Sequence, residues 1–239
     1  MTANTGQIRF VIFGQGRTGS KLLVELLRSH PDIHCDGEVL NGYYWNRLSR
    51  RLILPLWRYY PLPLFRRNAR NSHSMVYGFK LFNDHIHRPH WVLSTLHGEG
   101  WRIIHIQRRD LVAQTISGEV ARQTSRWHRH SGDTVAPVVM PIDPDEFSAD
   151  LKKRLTRSAQ IEQLLAGIPH LDITYEDHLA DPADWKPLSM RLLHYLEAPL
   201  QPLTTEMVKT WEQPYSEMIL NYAELMAAAQ RLPSSARLV

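Results

Sequence analysis

Residues 10–20 read FVIFGQGRTGS, placing Gly14, Gly16 and Gly19 among Arg17, Thr18 and Ser20. Glycines let a backbone approach a ligand closely and adopt positive φ. The arginine adds a fixed charge, and the two hydroxyls can bond an anion or cap a helix. Such a loop wraps backbone N–H groups around a phosphate-like anion at a helix N-terminus. The glycine spacing alone does not name the ligand. Gly14 and Gly19 match G-x-x-x-x-G of an ATP-binding loop, but Ser20-Lys21 reverses the Lys-Ser order that should follow, and no acidic strand end suited to magnesium appears. Gly14, Gly16 and Gly19 equally match G-x-G-x-x-G of a dinucleotide site. A P-loop kinase using ATP and a non-catalytic nucleotide-binding module therefore stand as alternatives at this point.

Further candidate groups sit beyond the loop. Arg108 and Arg109 follow the apolar run WRIIHIQ, and Ser117 lies two helical turns on, so an arginine at a strand end and a helix serine can converge on one anion. Tyr175, in Tyr175-Glu176-Asp177, can stack on or hydrogen-bond an adenine. Glu38 follows a short strand and can serve as a base; burial beneath a covering segment would raise its pKa toward neutrality. Lys80 ends a strand just before Asp84-His85, which makes Lys80 and His85 candidates for an acceptor pocket. His85, His87 and His90 have no carboxylate cluster beside them, and no metal is expected.

The elements that must carry these groups alternate. Strands are expected over 8–13, 33–35, 76–82, 101–107 and 171–175, and helices over 18–29, 111–124 with Asp110 as N-cap, 144–165, 185–196 and 204–230, the last interrupted near Pro214. Strands separated by helices predict an α/β fold: a P-loop-like domain with a central parallel sheet flanked by helices. The whole chain, 1–239, reads as a single domain with a mostly helical insertion or lid over about 39–75. Residues 39–83 hold no Asp or Glu but seven arginines, from Arg47 and Arg50 through Arg70, among Trp57, Tyr59, Tyr60 and Phe65. That segment suits an anionic or lipid-linked acceptor or peripheral contact with an anionic membrane, and equally an ordinary insertion with a solvated basic face.

Composition sets the outer limits. With 239 residues, 43% hydrophobic and 22% charged, the chain can build a globular core. The net charge is +4, and arginine far outnumbers lysine, which suits bidentate recognition of phosphate and sulfate. A single cysteine, Cys35, rules out an internal disulfide. The first ten residues lack the features of a signal peptide and no stretch reaches membrane-spanning length, so a cytoplasmic protein is expected. No nucleic-acid recognition motif accompanies the basic stretch, and no nucleic-acid partner is expected.

Together these residues resemble the sulfotransferases that use 3′-phosphoadenosine 5′-phosphosulfate (PAPS), in particular the bacterial carbohydrate branch and its trehalose 2-sulfotransferase-like members. Arg17-Thr18-Gly19-Ser20 with Leu22-Leu23 matches that branch's loop, and His30-Pro31 with Gly37-Glu38 its continuation. The stretch from Val112 to His128, Tyr175-Glu176-Asp177 with Asp181-Pro182, and a weaker echo at 221–225 extend the likeness. The resemblance implies that Gly16, Arg17, Thr18, Gly19 and Ser20 hold the 5′-phosphosulfate, that Arg108 or Arg109 with Ser117 holds the 3′-phosphate, and that Tyr175 lies near the adenine. Glu38 would be the base and Arg17 a catalytic charge, with PAP as product, no metal required, and a hydroxylated acceptor such as a carbohydrate or glycolipid. Two departures stand out: the loop lysine of the cytosolic small-molecule enzymes is replaced by Arg17, and their C-terminal Arg-Lys-Gly clamp is not visible, with only Arg231 and Arg237 near the chain end.

Overall fold

The computed structural model describes residues 6–41, 51–134 and 136–232. Arg47, Arg50 and Arg237 lie outside these. The described chain divides into two compact units: residues 1–107 with 161–205, and 108–160 with 206–239.

The first unit is built on five parallel strands in the order β2-β3-β1-β4-β6. They are β1 (Ile8–Gly14), β2 (Ile33–Glu38), β3 (Val76–Phe82), β4 (Trp101–Gln107) and β6 (His170–Thr174). β1 is central and nearly all apolar because both of its faces are covered. Phe10 and Ile12 enter one core with Leu23, Val24, Leu26 and Leu27 of α1 (Ser20–Arg28). Val11 and Phe13 enter the other, with Phe65 of α3 (Leu62–Asn71) and Val92, Leu93 and Leu96 of α4 (Pro89–Gly98). The insertion is helical where it is described: α2 (Leu54–Tyr59) precedes α3, and prolines start both. β6 runs straight into the single turn α7 (Tyr175–His178), and α8 (Trp185–Tyr195) returns to the first core through Leu188, Leu192 and Leu193.

The second unit contains α5 (Leu111–Thr124), whose N-cap Asp110 accepts from the Ala113 N–H at 2.8 Å, as the sequence suggests. It also holds most of α6 (Pro144–Leu165), the one-turn α9 (Tyr215–Met218) and α10 (Tyr222–Arg231). Its core joins Ile116 and Val120 to Phe147, Met218 and Leu225. Asn221 clamps the Ile142 backbone from both sides, donating to its carbonyl at 2.9 Å and accepting from its N–H at 3.1 Å. The helix expected over 204–230 is confined to α9 and α10. Upstream, β7 (Met207–Val208) pairs antiparallel with β5 (Arg129–His130). α4 was not anticipated. Among the described residues no helix is long and apolar enough to cross a membrane.

One close approach fixes the sheet's interior. Gly78 is the register partner of Phe10, and a Cβ at 78 would lie 2.3 Å from the Phe10 ring. Gly78→Ala is expected to cost about 1–3 kcal/mol by overpacking, seen as a lower urea midpoint. Phe10→Leu in the same chain should recover part of that loss, giving a non-zero coupling in the double-mutant cycle.

Candidate active site

β1 delivers Gly14 to the carboxyl edge of the sheet, where the loop begins. Thr18 is buried and its hydroxyl donates to the Gln15 carbonyl at 2.9 Å, closing the loop on itself. Arg17 (φ 68°) and Gly19 (φ 81°) are both left-handed. Left-handed residues alternating with others are the backbone pattern that favours an anion nest. Gly19 is the N-cap of α1, no side-chain cap is found there among the described residues, and no acidic side chain occupies the first turn. The uncapped N–H groups and the positive end of the helix dipole favour an anion. Glycine is required at 19 for a second reason: a Cβ would lie 2.8 Å from Cδ2 of Tyr175. Two residues read separately from sequence, Gly19 and Tyr175, are thus in contact.

A second cluster forms at the ends of β2 and β3. The register shifts between Asp36 and Glu38, and this bulge sets Glu38 opposite Lys80. Lys80 Nζ lies 2.7 Å from Glu38 Oε1, Asn41 Nδ2 donates to Oε2 at 2.8 Å, and His85 Nε2 stands 3.9 Å from Oε2. The sequence reading expects a raised Glu38 pKa, and the structure reverses it. Burial does push the carboxyl up, but the Lys80 charge and hydrogen bond, with His85 and Asn41, push it down further, leaving it below the ordinary range. Burial lowers Lys80 despite the opposing pull of Glu38, and burial lowers His85. The two depressed values leave Glu38 ionised and the His85 imidazole neutral at neutral pH, with Lys80 paired to the carboxylate. His85 Nδ1 is buried with no hydrogen-bond partner among the described residues.

Phe82, which the sequence reading passed over, joins the two clusters. Its ring lies 4.9 Å below Lys80 Nζ and 5.2 Å from the His85 ring, and a Cβ at Gly16 would be 3.8 Å from its Cε2. Lys80 also feels the charge of Lys21 on α1. Loop, Lys80, Glu38 and His85 thus form one continuous surface within the first unit. Asn41 was missed as well; its only signal was its place three residues after Glu38. In the second unit, Arg108 is half-buried, Arg109 exposed, and Ser117 buried on α5.

No family model matches the chain. The chain is 28% identical to nodulation protein H of Rhizobium meliloti over 235 residues, covering 90% of this chain and 89% of that protein. Over 185 residues it is 30% identical to nodulation protein H of Rhizobium tropici, covering 73% and 70%. The fold is similar to that of a sulfotransferase from Alicyclobacillus acidocaldarius, with a TM-score of 0.53 at 14% identity, spanning 98% of this chain and all of that one. The chain belongs to the PAPS-dependent sulfotransferase family. This sulfotransferase transfers a sulfuryl group from PAPS to an acceptor.

Because the folded-state pKa of Glu38 is depressed, its contribution to stability is present above the ordinary glutamate value and is lost as pH falls through the folded one. Lys80→Met removes the charge that holds the carboxyl down and leaves the burial that pushes it up. The Glu38 carboxyl should then titrate at higher pH than in the native protein in a carbon-13 NMR titration. A carboxyl that stays where it is in the native protein contradicts this account.

Proposed function

We propose that Glu38 is the base that accepts the acceptor's hydroxyl proton, and that the loop of Gly16, Arg17, Thr18, Gly19 and Ser20 binds the 5′-phosphosulfate end of the donor. The observation that carries this reading is the continuity through Phe82 between an uncapped helix N-terminus and an ionised carboxylate. PAPS supplies an activated sulfuryl group whose transfer builds negative charge on the departing phosphate. Arg17 and the loop N–H groups stabilise that charge, and Tyr175, packed on Gly19, offers a ring beside the loop. Thr18 contributes through its backbone, since its hydroxyl is engaged by Gln15. The 3′-phosphate falls to Ser117 with one of the two arginines. Arg108 is preferred over Arg109, because a half-buried guanidinium is the better match to a buried serine. The acceptor oxygen bonds to sulfur as the bridging S–O bond breaks, and the acceptor proton passes to Glu38.

A second reading has support in the hydrogen bonds. Both Glu38 oxygens are engaged, by Lys80 and Asn41, while the His85 ring stands neutral beside them. On that reading His85 takes the proton and Glu38 positions it. For the acceptor we infer a carbohydrate hydroxyl, on the strength of the sequence resemblance to the carbohydrate branch.

Glu38→Gln is expected to lower kcat by ~10²–10⁴ while thermal stabilisation by PAP, without added metal, stays as in the native protein. Near-native turnover in Glu38→Gln together with a collapse in His85→Asn would transfer the base to His85. The insertion offers a further test. Leu52, Leu56 and Tyr60 are 58%, 63% and 60% exposed, and Arg51, Arg67 and Arg70 of the same insertion are exposed too, a set of side chains suited to an anionic membrane. Co-sedimentation with phosphatidylserine-containing liposomes, but not with phosphatidylcholine alone, is the expected result. Binding that is equal or absent for both assigns the surface to plain structure.

A further inference from the structure

The far edge of the first unit's sheet carries a group of side chains that sulfuryl transfer does not use. His105 on β4 is the register partner of Asp172 on β6, and His170 enters the same face two residues before Asp172. Their neighbours Leu171 and Ile173 point the other way, into the core that holds α1, so this cluster lies on the sheet face opposite α1. It opens onto a cavity of about 570 Å³, also lined by Gln107 and Glu162.

Two imidazoles converge on the Asp172 carboxylate. His105 Nδ1 lies 2.8 Å from Oδ1 of Asp172, and His170 Nε2 lies 3.4 Å from Oδ2. On its other side, His170 Nδ1 is 2.6 Å from the Ile168 carbonyl. A carbonyl only accepts, so that nitrogen carries the ring proton. That leaves Nε2, which faces the Asp172 carboxylate, as the ring's ligating atom. Nδ1–H donating to a backbone carbonyl is how metal-ligating histidines are commonly oriented. One ligand atom from each residue falls within 4.8 Å of the other two. A tetrahedral zinc site has ligand atoms ~3.3 Å apart, within reach of small rotations of the half-exposed Asp172.

We propose that His105, His170 and Asp172 form a site for a divalent transition-metal ion, with its open coordination position facing the cavity. Two imidazoles and a carboxylate favour zinc, cobalt or nickel over magnesium or calcium. The ion would tie the edge strand β6 to β4 and to the turn at Ile168, apart from the donor loop and independent of the transfer chemistry.

The full chain, stripped with chelator, is titrated with Co²⁺ and followed by visible absorption, then competed with Zn²⁺. One equivalent should bind and be displaced, and His170→Ala and Asp172→Asn should each weaken binding by at least ~10-fold while keeping native stabilisation by PAP. X-ray absorption at the zinc edge of the unaltered protein should report two imidazoles and one carboxylate, a reading that needs no variant to fold. Absence of a saturable Co²⁺ spectrum, native affinity in both variants, or a ligand shell without imidazole overturns the proposal.

Discussion

Lys80 is a buried ammonium, and the first unit's site is arranged around the need to neutralise it. An isolated charge in that position would cost several kcal/mol, and Glu38 answers it at 2.7 Å. Everything that brings the two together is backbone geometry. Parallel pairing of β2 with β3 sets the strands in register, and the bulge between Asp36 and Glu38 turns the carboxylate toward its partner. β3 then ends at Phe82 and tightens into the 3₁₀ turn Asn83–His85, which returns the His85 ring to Glu38 and seats Phe82 against the loop. The same sheet carries Gly14 and Thr174 to its carboxyl edge, so the anion nest and Tyr175 meet there without any long connection.

Much of this frame was legible because it is written in local pattern. Val76–Phe82, Trp101–Gln107, Leu111–Thr124 and Pro144–Leu165 were readable to their ends, since each is bounded by a cap, a proline or a clear change of period. The helix read over 204–230 failed because a stretch of mixed apolar residues also suits the two-residue strand Met207–Val208, whose partner Arg129–His130 is remote in sequence. α4 has only the triad Val92, Leu93 and Leu96 on its buried face, too few apolar positions to mark a helical period. Within the site, the glycines, Arg17 and Tyr175 could be named, but Phe82 looked like any last residue of a buried strand. Its role exists only once β1 and β3 are side by side.

The electrostatics of Glu38 show why the rest was out of reach. Sequence suggests burial, and burial alone raises a carboxyl. The opposing charge comes from another strand, and only the sheet register reveals that Lys80, Asn41 and His85 share one carboxylate. The sign of a pKa shift is a property of the packed neighbourhood, and here three neighbours outweigh desolvation. A similar pairing sits in the second unit, where Glu119 is buried beside Arg122, yet there burial wins and the carboxyl moves up. Arg122 is half exposed and its charge is screened by water; Lys80 is not.

On the proposed reading, the low pKa of Glu38 in the free protein does not condemn it as a base. Its depression reflects the positive charge of Lys80, and an anionic sulfuryl donor beside the loop adds negative charge to the same neighbourhood. Like charge disfavours the carboxylate, so a bound donor raises the affinity of Glu38 for a proton at the moment the acceptor must release one. Protonation of Glu38 then leaves Lys80 as an uncompensated cation just as negative charge gathers on the departing phosphate. The proton moves one way and the unbalanced positive charge appears where it is needed, so that the ion pair is most costly to break without donor and least costly at the transition state. An arginine in the loop fits this division of labour. On that reading Arg17 supplies a permanent charge at the loop, while the lysine sits on β3, paired with Glu38 at 2.7 Å.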